Sequence, residues 1–267
     1  MKATVFLGGG RITSALVAGL RLAGYQSPIV VHDRNPEKLR ALRREFRVEI
    51  AADVKSALRR AGMLVIAVRP ASVADVLEEI TRYGACRRSL LAVSLAAGIP
   101  LKRLRAELGP PVRWARAMPS PVCRIGRGLT GLAFDRSFPT RERKRVRDFF
   151  AQVGAVLEIP EKCFDAFTAT YSSSHGYHAL VALAKAGRSA GLDRKTALTA
   201  AAHALAEGIR YWKESEQDLS DLLHEAATPG GIAAATMAAM DGAGYQSVVA
   251  KGLKAGMERA RRNAKLR

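Results

Sequence analysis

The chain has 267 residues, 48% of them hydrophobic, and a formal net charge of +19. That length suits one large domain or two ordinary ones with a substantial core, and no uncharged apolar stretch reaches the roughly 18 residues of a membrane-spanning helix. The three cysteines Cys86, Cys123 and Cys163 are far apart with no CxxC pair, so neither a disulfide framework nor a metal site is expected.

In chain order, "ATVFLGG" reads as a buried strand, because it is short, apolar and bounded by glycine. "RITSALVAGLRLAG" follows as a helix with Ile12, Leu16, Leu20 and Ala23 on one face, stopped at Gly24. "PIVVHDR" is a second strand, and Asn35 and Pro36 open the next helix as cap and first-turn residue. "VEIAADVKSALRRAG" holds a short strand and a helix. Strands at "MLVIAVRP" and "SLLAVSLAAG" alternate with helices at "ASVADVLEEITRYG" and "PLKRLRAELG". "PVRWARAMPS" and "GLTGLAFD" give strands six and seven, "TRERKRVRDFFAQVG" a basic helix, and "AVLEIP" the last strand.

Strand and helix therefore alternate to about residue 160, which predicts a mainly parallel sheet with helices on both faces. From Glu161 the chain turns alanine-rich and helical. One long helix is expected over 163–191, a second over 193–215, a third opening at "TPGG", and a fourth from Tyr245. The expected architecture is α/β: a Rossmann-type domain over 1–160 followed by an all-helical domain over 161–267. Small residues along the later helices permit close packing within the chain or against a second copy.

The charge is dense in two places. Lys102 to Arg147 carries 13 basic residues against three acids, and Lys251 to Arg267 carries seven against one. With few aromatics and no nucleic-acid-binding motif, the reading is a solvated basic surface, with neither a specific nucleic-acid partner nor a membrane. The N-terminus lacks the zones of a signal peptide, so the cytoplasm is the expected compartment.

Gly8, Gly10 and Thr13 occupy the three positions of G-x-G-x-x-G, after a strand and at a helix start. The first glycine allows the tight turn, and the second removes a side chain where a pyrophosphate would approach. Helix-start N–H groups at Arg11 and Ile12 suit the phosphates. Asp33, 20 positions after Thr13, suits the adenosine ribose hydroxyls. Arg34 beside it suits a 2′-phosphate that Asp33 would repel, so the dipeptide argues in both directions.

The order "FLGGGRITSALVAGL", "IAVRP", "VSLAAGIPLKRL", "RAMPSPV", "GLTGLAF" and "TPGG" resembles the pyrroline-5-carboxylate reductases over essentially the whole chain. The resemblance implies reduction of a cyclic imino acid with NADPH or NADH. It also implies a helical dimerisation domain and dimers that often assemble further. Ala67, Val68, Arg69 and Pro70 match the family's cofactor-side "AVKP", with Arg for Lys. Ser94 to Gly98, including Ala97, match the "AAG" loop beside the nicotinamide and substrate. Gly230 and Gly231 match the glycines of "SPGGTT", near the substrate carboxylate.

Several departures fall in the substrate region. "MPNTP" appears as Met118 to Val122, with Ser120 for the usual Asn. "SGSGPAY" corresponds to Tyr171 to Tyr177, in an approximate register. Ala233 replaces the threonine that contacts the ring nitrogen, and it has no hydrogen-bonding side chain. Pyrroline-5-carboxylate is therefore expected to be a poor substrate, or to be held by another donor such as Ser173 or His175.

Ser173, His175 and Tyr177 are the candidates for the proton that imine reduction requires, His175 because it titrates near neutrality. Each also has a plainer reading as cap, surface group or interface aromatic. Two functions stand: a reductase of pyrroline-5-carboxylate or a related cyclic imine, and an inactive family member that binds dinucleotide for regulation or assembly.

Overall fold

The computed structural model describes residues 2–83, 89–136 and 138–266; Cys86 lies outside them. Eight strands form one sheet in the order β3-β2-β1-β4-β5-β6-β7-β8. They are β1 Ala3–Leu7, β2 Ile29–His32, β3 Glu49–Ile50, β4 Ala61–Ile66, β5 Leu90–Ser94, β6 Val112–Met118, β7 Gly128–Phe134 and β8 Gly154–Glu158. All neighbours pair parallel except β6 with β7. The mainly parallel sheet expected from the alternation is present.

Alternate side chains of the central strands β1, β2, β4, β5 and β6 enter opposite cores. Val5, Leu7, Leu64, Ile66, Ala92 and Trp114 face one of them. There they meet α3 Val54–Arg60, α4 Val73–Arg82 and α5 Leu101–Glu107 through Ala57, Ile80 and Leu104. Phe6, Val31, Val65, Val93 and Ala115 face the other. There they meet α1 Arg11–Leu22, α2 Pro36–Phe46 and α6 Thr140–Ala151 through Leu16, Leu42 and Phe150. Burial on both faces is why these strands read as continuous apolar runs. Each fully buried large side chain contributes about 1.5–3 kcal/mol. Asn35 caps α2 by accepting from Glu37 and Lys38 N–H, with Pro36 in the first turn.

The strands run outward from β1 in one direction through β2 and β3, and from β4 in the other. The reversal falls between β1 and β4. Ligand crevices of doubly wound sheets open at such a point, beyond the carboxyl ends of the strands.

After β8 no further strand occurs among the described residues. Two helical expectations need correction. The helix expected over 163–191 is two helices, α7 Phe164–Thr170 and α8 Ser173–Ser189. Tyr171 leaves helical geometry, and the Ser172 side chain caps the new start by accepting from Ser174 N–H. A short helix, α10 Leu219–Ala226, stands after α9 Arg194–Ser215 where none was expected. α11 Ile232–Gly242 and α12 Tyr245–Asn263 complete the chain. Contacts divide it into one unit of Met1–Tyr171 with Ala255–Arg267, and another of Ser172–Lys254.

Arg116 ties α7 to the sheet within the first unit. It is 2% exposed and bonds Glu161 Oε1 and Asp165 Oδ1, each at 3.1 Å. Its guanidinium lies 4.2 Å from the centre of the Phe164 ring, and Glu161 also accepts from Leu101 N–H. Removing the cation leaves two acids without their partner. Arg116→Ala is expected to destabilise the protein by about 3–5 kcal/mol. Chemical denaturation checks this, and an unchanged midpoint would show that the acids are well solvated without it.

Candidate functional site

Four adjacent strands deliver loops to the carboxyl edge of the sheet: β2 to Asp33, β1 to Gly8, β4 to Ala67, and β5 to the 94–98 loop. β6 adds Met118 and Ser120 beside them. The candidates of the first unit thus share one edge.

Gly8 sits where only glycine fits. Its φ is +110°, and a Cβ there would lie 2.6 Å from the Ala67 carbonyl oxygen. Its N–H donates to His32 O at 2.8 Å, while Ala67 N–H donates to Leu7 O at 2.8 Å. The β1/β4 reversal is therefore closed by direct backbone packing. Gly10 is different: a Cβ there would meet nothing within 4 Å. It is the N-cap of α1, without a side-chain cap. The first intrahelical bond is Ser14 N–H to Gly10 O, so the N–H groups of Arg11, Ile12 and Thr13 precede the ladder. Open space before unladdered N–H groups at a twelve-residue helix start fits the phosphates of a dinucleotide. Thr13, in the third glycine position, is buried, and its hydroxyl donates to Gly8 O at 2.6 Å. It braces the loop from inside.

Asp33 is half turned into that loop. Its Oδ2 accepts from Gly9 N–H at 2.7 Å and its Oδ1 from Asn35 N–H at 2.8 Å, with Lys38 Nζ 3.7 Å away. Burial opposes its charge, but the N–H bonds from Asn35 and Gly9 and the nearby Lys38 outweigh it, so its pKa falls below the ordinary 3.8. Stability from these bonds is thus present above that value and lost as pH falls through the lower folded one. Arg11, Arg34 and Arg69 are exposed around the same mouth. None of the three is in an ion pair among the described residues. Val68 and Pro70 are half-buried.

The 94–98 loop is held by the end of α12. Asn263, buried, donates from Nδ2 to Ala97 O at 3.1 Å. Gly98 has φ +79°, and a Cβ there would lie 2.4 Å from the Ala260 carbonyl oxygen. Arg103 donates to Ala264 O at 3.2 Å. Nothing local in the sequence marks Asn263, whose partner is 166 residues away.

Ser120 caps the 3-10 turn after β6 and is bonded to Tyr171 Oη at 2.9 Å. The sequence placed Tyr171 only at the edge of an altered motif.

Ser173, His175, Tyr177, Gly230 and Gly231 belong to the second unit. Ser173 opens α8; His175 and Tyr177 are exposed in its first turns. Ser172, not His175, is the cap. Thr228 to Gly231 form a turn with Pro229 second and Gly230 at φ +79°, closed by Gly231 N–H to Thr228 O at 2.9 Å. Gly231 then caps α11, where the first intrahelical bond is Ala235 N–H to Gly231 O. The N–H groups of Ile232 and Ala233 are left before the ladder. Among the described residues no cluster of His, Cys, Asp and Glu has metal-holding geometry. No helix there is long and apolar enough to cross a membrane.

Two family models match the chain. Residues 4–98 match "NADP oxidoreductase coenzyme F420-dependent", and residues 161–263 match "Pyrroline-5-carboxylate reductase dimerisation". The pyrroline-5-carboxylate reductase of Mycobacterium tuberculosis is 31% identical, covering 97% of this chain and 96% of its own. That of Synechocystis is 28% identical over 95% of each. Among solved structures, Plasmodium falciparum pyrroline carboxylate reductase with NADP bound superposes with a TM-score of 0.87 at 22% identity, covering 98% of each chain.

Proposed function

From the premise that the chain belongs to the pyrroline-5-carboxylate reductase family, we propose that it reduces pyrroline-5-carboxylate to proline with NADPH. The carrying observation is a likeness to these reductases along nearly the whole chain, in a molecule whose Gly10 helix start is open to a ligand. In this reading residues 1–160 bind the dinucleotide, and 161–267 form a homodimer and complete the substrate site. Free Cys123 and Cys163 accord with a reducing compartment, which we take to be the cytoplasm.

The bound cofactor supplies the hydride. Gly8, Gly10, Arg11 and Ile12 hold its diphosphate. Ala67 to Pro70 and Ala97 line the path towards the nicotinamide. Met118 and Ser120 in the first unit, and the helix start at Gly230 and Gly231 in the second, are the candidates for binding the imino acid. Ser173, His175 and Tyr177 remain the candidates for delivering the proton to the ring nitrogen, beside solvent water.

Asp33 and Arg34 no longer argue equally. The Asp33 carboxylate is engaged by Gly9 and Asn35 N–H, which supports Arg34 as the group that meets a 2′-phosphate. A charge-assisted bond of this kind contributes about 1.5–3 kcal/mol. Arg34→Ala is therefore expected to weaken NADPH binding about tenfold or more and to leave NADH nearly unchanged. Fluorescence titration with both cofactors reads this; equal weakening of the two would remove Arg34 from the 2′-phosphate.

The function itself is tested by adding pyrroline-5-carboxylate, and then its six-membered homologue, to the purified protein with NADPH. Cofactor oxidation with proline as product supports the proposal. Tight NADPH binding with no oxidation by any cyclic imino acid would instead indicate a member that keeps the cofactor without the chemistry.

A further inference from the structure

The Tyr171 hydroxyl sits between two partners. Leu129 N–H donates to it at 2.6 Å, and Ser120 Oγ lies 2.9 Å away. A peptide N–H only donates, so Tyr171 Oη accepts there and keeps its own hydrogen; in its pair with Ser120 Oγ either oxygen can donate. Where Tyr171 donates, Ser120 is the acceptor in that pair. Its hydroxyl hydrogen is left over, with no acceptor among the described residues, although the residue is only 5% exposed. Each bond in such a chain strengthens the next in a low-dielectric setting. In that arrangement the Ser120 hydroxyl is left to donate, at the carboxyl end of β6.

The chain of bonds ends on a peptide N–H, which does not release its proton. It orients a donor and carries no proton to the ring. A protonated ring imine cannot accept from Ser120, because its nitrogen has no lone pair left. A carboxylate can, because its oxygens only accept.

Resting on the reductase reading, we propose that Tyr171 is a positioning residue that turns the Ser120 hydroxyl onto the carboxylate of the bound cyclic imino acid. It acts on that acid only through Ser120.

The test is a double-mutant cycle in the full-length protein. Tyr171→Phe and Ser120→Ala should each raise KM for pyrroline-5-carboxylate about tenfold, the scale of one charge-assisted bond. The double variant should be no worse than either single one. KM for NADPH and the pH profile of kcat should not move, which a general loosening of the fold would not spare. With 1-pyrroline, which has no carboxylate, the variants should match the wild type. Calorimetric titration with tetrahydro-2-furoic acid, a saturated ring acid, reads the same coupling without turnover. Wild-type protein that binds this acid with the coupling but never reduces the imine would overturn the reaction and leave the proposal standing. Additive effects, an unchanged KM in Tyr171→Phe, or an equal loss with 1-pyrroline would overturn the proposal, whatever the enzyme does.

Discussion

Gly10→Val should leave the protein folded and abolish its NADPH binding, while Gly8→Val should damage the fold itself. The two glycines lie two residues apart and answer to different constraints. A side chain at Gly8 would sit 2.6 Å from a backbone oxygen, at a φ of +110° that such a residue rarely adopts. Neither strand end can give way, because Gly8 and Ala67 are both bonded into the sheet. At Gly10 the added atoms enter open space, at an ordinary φ of −79°. Losing a good N-cap there costs about 1 kcal/mol. The isopropyl group, however, fills the place where the diphosphate meets the helix start. At least a hundredfold loss of NADPH affinity is expected, equivalent to about 2.7 kcal/mol, with a melting temperature a few degrees from wild type. Unchanged affinity in folded Gly10→Val protein would move the cofactor away from this loop.

The second large effect concerns the helical half. Within Ser172–Lys254 only Ala197 and Ala201 are buried. Large apolar side chains stand open on every helix there, among them Tyr177 at 63% and Ile232 at 89% exposure. α8 and α9 pack on each other, with Gly187 against Ala197, but a unit this poor in core does not account for its own stability. A second copy of the chain is the cover we propose. Melting temperature should then rise with protein concentration. Leu198→Asp, which would bury a charge in that cover, should cost several kcal/mol and yield a monomer with reduced helix content. Light scattering and circular dichroism read both; a wild-type monomer at micromolar concentration, equally helical, would remove the dimer from the account.

How much was legible depended on range. The central strands could be read because a parallel sheet buried on both faces leaves short apolar runs bounded by Gly, Pro or polar turns; β3 and β8 are half-buried to exposed, and the strand–helix alternation marks them. Asn35–Pro36 announced its helix because capping is local. At the break after Tyr171 the only local signal is the serine run 172–174, whose first member is the cap. "TATYSSSHGYHAL" has neither proline nor glycine at the break, and the ring turns out of the helix to reach Leu129 and Ser120, 42 and 51 residues away. α10 was missed because eight residues are too few for periodicity to stand out. In the site, Gly8 and Gly10 were found from spacing, but only coordinates separate a glycine packed on backbone from one facing open space. Thr13 read as a departure from the glycine pattern; its hydrogen bond to Gly8 O shows what a hydroxyl adds there. Asn263 touches Ala97 through folding alone.

The central claim is that this chain moves a hydride from NADPH to a cyclic imino acid. The most direct measurement supplies NADPH deuterated at the transferred nicotinamide position, together with pyrroline-5-carboxylate, and weighs the proline formed. Proline carrying one deuterium on the former imine carbon, formed by the wild type and not by Gly10→Val, is the predicted result. Unlabelled proline, or no proline from protein saturated with cofactor, would contradict it.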